Sequence, residues 1–290
     1  QMMFDFWVNQ HAFVAMATGD AAPLAKALEE TRSRPDTAQW GQFLRNHDEL
    51  DLGRLTDPER QAVFDAMAPD PSMQLYGGGV RRRLAPMLHG DPRRLQMAYS
   101  LLFALPGTPV IRYGDELGMG DNLDLPEREC ARTPMQWSTE PHAGFTRAAK
   151  PVLPVIEEGP YSYRKINVAD QRRDPNSLLN WMGRMIRMRK EVPEIGWGEF
   201  EVIETGNPGV LALLYEWRNN AVMVVHNLTD AAAEVQVRLK GERGRQLTNL
   251  LTQDHSEASS RGVHRLIMEP YGYHWYRVGG LGYLLDRSSG

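Results

Sequence analysis

Only one cysteine, Cys130, occurs in the 290 residues. That excludes an intrachain disulfide framework and fits a reducing compartment, so the cytoplasm is the expected location. No stretch approaches the roughly 18 consecutive apolar residues of a spanning helix, and no basic segment leads into an apolar one at the start, so no membrane partner is expected. Positive charge is not in excess either. Lys and Arg number 33 against 37 Asp and Glu, a formal net charge of −4 that leaves no surplus for a phosphate backbone, and nucleic acid is excluded as an expected partner. Internal repeats and low-complexity segments are missing. So is a leading methionine: the chain opens at Gln1 and enters Met2-Met3-Phe4-Asp5-Phe6-Trp7 without a capping segment. This reads as a start inside a domain, with a processed N-terminus as the alternative.

What is present is ordinary globular composition, 42% hydrophobic and 24% charged, enough for one large domain or two smaller ones. Residues 1–193 alternate short apolar runs with segments of helical period, the pattern of βα units feeding a parallel sheet. Met2 to Phe6, Trp40 to Arg45 and Pro109 to Tyr113 are the expected strands. Helical periodicity covers Val8 to Met16, Ala21 to Arg32, Pro58 to Met67, Arg94 to Leu105 and Ser177 to Lys190. Gly118 to Asp174 reads as one long functional loop. Residues 194–278 change to short β-branched and aromatic runs between turn signals such as Gly206-Asn207-Pro208-Gly209, predicting a small antiparallel β-sandwich. A tail, 279–290, has no periodicity.

Three polar stretches punctuate the first part. Asn46-His47-Asp48-Glu49 follows an expected strand, where side chains of a parallel barrel face the reaction site. Asn, His and Asp also favour turns and helix caps, so the cluster alone leaves both readings open. Asp115-Glu116 ends the next strand, and Arg132-Thr133-Pro134-Met135-Gln136-Trp137 follows in the loop.

The run Gly107-Thr108-Pro109-Val110-Ile111-Arg112-Tyr113-Gly114-Asp115-Glu116, with Asn46-His47-Asp48 and Arg132 to Trp137, resembles the α-amylase superfamily of glycoside hydrolases. Phe43 to Leu50, Tyr76 to Leu88 and Gly118-Met119-Gly120-Asp121-Asn122 resemble its trehalose synthase branch, and the likeness covers all but the tail. It implies the C-terminal portion of a (β/α)8 TIM barrel, about strands six to eight, followed by the β-domain. It also implies a retaining enzyme that interconverts maltose and trehalose by intramolecular glucosyl transfer. The other readings are a hydrolytic α-glucosidase of the same superfamily and a non-catalytic glucan-binding or subunit-like remnant.

By this resemblance Asp48 is the catalytic carboxylate that grips the distorted glucosyl ring, and His47 and Arg132 bind substrate. The nucleophile and the acid/base would lie on strands four and five, before Gln1, so these residues alone are expected to be inactive. The partner is a small sugar: maltose, trehalose or a related α-glucoside. No cofactor or metal ligand is expected in this chain, and a calcium ion would belong to the preceding region.

Other residues carry competing roles. Asp115 and Glu116 are expected to be structural, and Glu49 contacts the acceptor sugar or pairs with an arginine such as Arg45. Arg81-Arg82-Arg83, at helical spacing, would point in different directions. Arg132 could simply anchor its own loop, and His255 and His264 lack metal-ligand spacing. Trp137, Phe145, Tyr161 and Tyr163 could cover the site. Trp217, Tyr271 and Trp275 pack against the barrel or bind glucan, with packing favoured.

Overall fold

The computed structural model describes residues 1–35, 37–252 and 254–279, so the tail reading lies outside them beyond Gly279. Strand β1 (Met2–Phe4) runs into helix α1 (Phe6–Thr18), whose first turn is capped by the Asp5 carboxylate accepting from Val8 N at 3.0 Å. Gly19 ends α1 in the left-handed region, where a Cβ would be penalised. Helix α1 is buried on nearly every side between α2 (Ala22–Glu30) and α3 (Asp57–Met67). A reciprocal Thr56/Glu59 capping box starts α3.

Strand β2 (Gln39–Gln42) pairs parallel with β1, Met2 opposite Gln39, and β6 (Thr108–Pro109) pairs parallel with β2, Gly41 opposite Thr108. Between them, β3 (Leu50–Asp51), β4 (Gln74–Leu75) and β5 (Gly79–Val80) make a small antiparallel sheet, followed by helices α4 (Leu84–Met87) and α5 (Pro92–Ala104). The strand expected over Pro109 to Tyr113 is shorter than its sequence suggests. Val110 still donates to the Gln42 carbonyl at 2.7 Å, but the backbone then turns at Gly114, its Tyr113 carbonyl taken by the Arg83 guanidinium.

The long segment from Gly118 contains single 3-10 turns and helix α6 (Val168–Arg173), after which α7 (Leu178–Glu191) and α8 (Glu194–Trp197) complete the helical part. Then comes a β-sandwich. One sheet comprises β7 (Glu199–Ile203), β8 (Val210–Trp217), β9 (Asn220–Asn227), β11 (Gln246–Asn249), β12 (His255–Glu257) and β14 (Tyr273–Val278), in the order β12-β11-β14-β9-β8-β7. The other pairs β10 (Ala233–Arg238) with β13 (Val263–Met268). Strict alternation along β10 sends Ala233, Val235 and Val237 inward against Val225, Leu266, Met268 and Tyr276.

The outer face of the larger sheet is the surface on which the helical part sits. Leu211, Leu213, Tyr215, Val222, Val224 and Trp275 join one core with α1, α5 and α7. Trp275 is fully buried there, donating to Ser100 Oγ at 3.0 Å, which removes it as an exposed glucan contact. Tyr215 reaches across to the Ala104 carbonyl at 2.6 Å, and Trp181 Nε1 donates to Tyr273 at 2.8 Å. Among the described residues, no helix is long and apolar enough to cross a membrane.

Candidate sugar-binding site

Beyond β2 the chain continues through Phe43 and Leu44 into a turn that presents Asn46-His47-Asp48-Glu49 at the end of the strand. The Asn46 side chain accepts from Asp48 N at 2.9 Å and shapes that turn. Arg132 comes from the loop 84 residues later. Its Nη2 lies 3.0 Å from Asp48 Oδ1 and its Nε donates to the His47 carbonyl at 2.8 Å. The His47 ring sits beside the same carboxylate, Nε2 at 3.5 Å from Oδ2, with most of its side chain open to solvent. Thus the three residues singled out in the sequence come together in space.

Arg128 was not among them. Its Nη1 lies 3.3 Å from Asp48 Oδ1 and its Nε 2.6 Å from Glu49 Oε2, so two guanidiniums converge on one Asp48 oxygen while Glu49 has a partner of its own. The hydrogen bond to Glu49 raises the Arg128 pKa above its usual value. Arg45, the other candidate partner for Glu49, instead bonds the Asp48 carbonyl at 2.8 Å and the Arg82 carbonyl at 2.8 Å. The one sequence signal for Arg128 is its spacing: it stands four residues before Arg132, in a helical turn spanning Glu127–Ala131.

Beneath this surface lies a layer of buried arginines. Arg112 Nη1 donates to the Asn46 carbonyl at 3.0 Å and its Nη2 bonds the Ala131 carbonyl. One side chain therefore ties the turn carrying Asp48 to the turn carrying Arg132. Arg83 bonds the Tyr113 carbonyl and lies 3.3 Å from the buried Asp115 carboxylate. Arg82 pairs with buried Asp121 at 3.3 Å, and Arg81 bonds the carbonyls of Leu123 and Leu125. The three successive arginines lie on irregular backbone before α4, not on a helix, and all grip the 113–131 segment. Burial, aided by the nearby Arg112 charge, pushes Arg45 down to about 10, so it stays charged at neutral pH.

Of the four aromatics expected as a cover, Trp137 and Phe145 are half exposed, Tyr161 is half-buried against Gly90 and Gly120, and Tyr163 is buried in a core with Ala143 and Val155. Among the described residues, no cluster of three or more His, Cys, Asp or Glu could hold a metal ion. Asp48, Glu49, Asp115 and Asp121 each face a guanidinium.

A strand-end carboxylate held between arginines, above a partial parallel sheet and beside a β-sandwich, defines the class. Residues 81–198 match the alpha amylase catalytic domain and residues 220–277 match the sucrose hydrolase-like C-terminal domain, a likeness to the α-amylase family in both parts of the chain. Within it, the chain is 40% identical over 275 residues to the trehalose synthase of Thermus thermophilus, covering 94% of this chain and 28% of that one. It is 37% identical over 283 residues to the trehalose synthase of Pimelobacter sp. (strain R48), covering 96% and 49%. The alpha-amylase from H. orenii shares its fold with a TM-score of 0.67 at 20% identity, over 96% of this chain and 49% of that one. The chain thus spans half or less of the length of these relatives.

Proposed function

We propose that the protein carrying this chain interconverts maltose and trehalose by moving a glucosyl group from one hydroxyl of the partner glucose to another. In this reading the chain supplies about strands six to eight of the barrel, and the nucleophile and acid/base are carboxylates outside residues 1–290. The observation that carries the reading is the convergence of Asp48, His47 and Arg132 on one open surface, together with identity to trehalose synthases over nearly the whole chain.

Asp48 is the group that grips hydroxyls of the glucosyl ring as it flattens toward an oxocarbenium-like transition state. Such bonds strengthen along the reaction and so lower the barrier rather than only tightening binding. With Oδ1 held by Arg128 and Arg132, Oδ2 is directed toward His47, leaving carboxylate and imidazole side by side for neighbouring sugar hydroxyls. Arg132 then has two duties, orienting Asp48 and donating its remaining N–H groups to sugar oxygens.

Product analysis after incubating the full-length protein with maltose tests this. Trehalose is the expected product, and glucose alone would replace the reading with a hydrolytic α-glucosidase. Residues 1–290 purified by themselves are expected to leave maltose unchanged; conversion by them would place the whole apparatus inside this chain. In the full-length protein, Asp48→Asn is expected to lower kcat/KM for maltose by about 10²–10³-fold with little change in melting temperature, the scale of losing one transition-state hydrogen-bonding group. Activity within threefold of wild type would remove Asp48 from the chemistry.

A further inference from the structure

The segment that continues β6 ends in two side chains whose hydrogen bonds land on the backbone beside the sugar-binding residues. Past Val110 the chain reaches Arg112 and Tyr113 and then turns, the Arg112 carbonyl accepting from Asp115 N at 3.2 Å. The Arg112 guanidinium is buried, and the Tyr113 ring lies 5.3 Å from its Cζ.

Arg132 is bracketed by these two residues. On its N-terminal side the Ala131 carbonyl takes Arg112 Nη2, and on its C-terminal side the Thr133 carbonyl accepts from the Tyr113 hydroxyl at 2.8 Å. Arg83 Nη1 reaches the same Ala131 carbonyl at a longer 3.5 Å. The other arm of Arg112 donates to the Asn46 carbonyl at 3.0 Å, two residues before Asp48. One dipeptide thus fixes the backbone on both sides of Arg132 and the backbone just ahead of Asp48. Hydrogen bonds from a planar guanidinium are charge-assisted and fixed in direction, so the two carbonyls are held at a set spacing. The ion pair between Asp48 and Arg132, by contrast, joins side chains that are each 36% exposed, and pairs so open to water hold a geometry weakly. Their 3.0 Å separation is therefore set from below, by the strand end.

We propose that Arg112 and Tyr113 are the positioning residues of the sugar site, holding Asp48 and Arg132 at the spacing the glucosyl ring meets and acting on the reaction through those two groups. The proposal rests on the maltose–trehalose reading above, in which Asp48 works by bonds that tighten as the ring flattens. Such bonds are demanding in distance: a displacement of about 1 Å caused by a residue away from the chemistry can lower a rate by about 10²-fold. With the brackets gone, the turn carrying Arg132 and the turn carrying Asp48 drift apart. Turnover then falls more than ground-state binding does, because only the transition state needs the tight spacing.

The test compares steady-state maltose consumption by the full-length protein for wild type, Tyr113→Phe and Arg112→Met, each also combined with Arg132→Ala. Tyr113→Phe keeps the ring and removes the hydroxyl, and is expected to lower kcat about fivefold, the scale of one hydrogen bond, with KM within about twofold. Arg112→Met keeps a buried stem without donors and is expected to lower kcat about thirtyfold, short of a full 1 Å misplacement. In the Arg132→Ala background the Tyr113→Phe loss is expected to shrink to within about twofold, because the group being positioned is gone. The Arg112→Met loss is expected to shrink about threefold there, the remainder being its hold on Asn46. A purely structural role multiplies instead, so the same fold-losses in both backgrounds overturn the proposal, as does a raised KM with unchanged kcat. Melting curves accompany every variant. If Arg112→Met melts well below wild type, Arg112→Lys, which keeps the charge beside Asp115, replaces it under the same criteria. A wild type that converts maltose to glucose alone overturns the reading above and leaves this test standing, since the rates count maltose consumed.

Discussion

Arg45, Arg83 and Arg112 are each less than a tenth exposed, and the buried Asp115 carboxylate, 3.3 Å from Arg83, also favours the charged form of the other two. Guanidiniums so placed are tolerable because each is spent on backbone carbonyls as well as on charge. Asp115→Ala leaves Arg83 buried without its counter-ion and is expected to destabilise the fold by about 3–5 kcal/mol, read from urea unfolding; a loss under 1 kcal/mol would mean the carbonyls alone suffice. This layer was illegible in the sequence. An arginine in a polar stretch is expected at the surface, and nothing in Arg81-Arg82-Arg83 announces that Arg83 will be buried, and its two neighbours partly buried, against a loop 30 to 50 residues away. For the same reason the arginine that pairs with Glu49, one of its two expected roles, is not nearby Arg45 but Arg128, 79 residues on. His47, Asp48 and Arg132 could be picked out because a strand end and a loop motif mark them, and the structure then places them within 3.5 Å links of one another.

The junction of β2 and β6 depends on Gly107, at φ +132°, where a Cβ would come within 2.6 Å of the Trp40 carbonyl. Gly107→Ala must either push the two strands apart or leave that conformation. The expected cost is about 1–3 kcal/mol, with lowered melting temperature, and an unchanged melting curve would show that the strands tolerate the shift. Helices were the legible elements, because apolar residues recur along them at the helical period. Strands β11 and β12 were not. Gln246–Asn249 and His255–Glu257 are short and largely polar, and they exist because β14 offers an edge on which β11, and then β12, can build. The β3–β5–β4 sheet escaped notice for a similar reason: each of its strands is two residues long.

At the scale of the whole molecule, the helical part and the sandwich share one core, and polar contacts inside it fix how they meet. His226 of β9 is fully buried, its Nε2 3.0 Å from Ser100 Oγ of α5 and its Nδ1 without a hydrogen-bond partner. Burial pushes its pKa down to about 3. The unfolded chain would take up a proton near pH 6.5 while the folded one stays neutral. This residue's contribution is therefore fully present above about pH 6.5 and is lost at about 1.4 kcal/mol per pH unit as pH falls toward 3. Replacing it by Gln removes that dependence. The stability gap between wild type and His226→Gln, from urea unfolding at pH 7, 6 and 5, is expected to shift by about that amount per unit below 6.5, whereas a constant gap would show that the histidine is protonated in place.

Cys130 is buried under the turn that carries Glu127, Arg128 and Arg132, its thiol donating to the carbonyls of Arg81 at 2.7 Å and Glu127 at 3.1 Å. Burial also raises the thiol pKa, keeping the unreactive protonated form. A thiol reagent can reach this sulfur only during moments when the turn has lifted away. In a chain with no other cysteine, these residues carry their own stopwatch: each alkylation event records one opening of the turn that holds the Asp48 carboxylate in place.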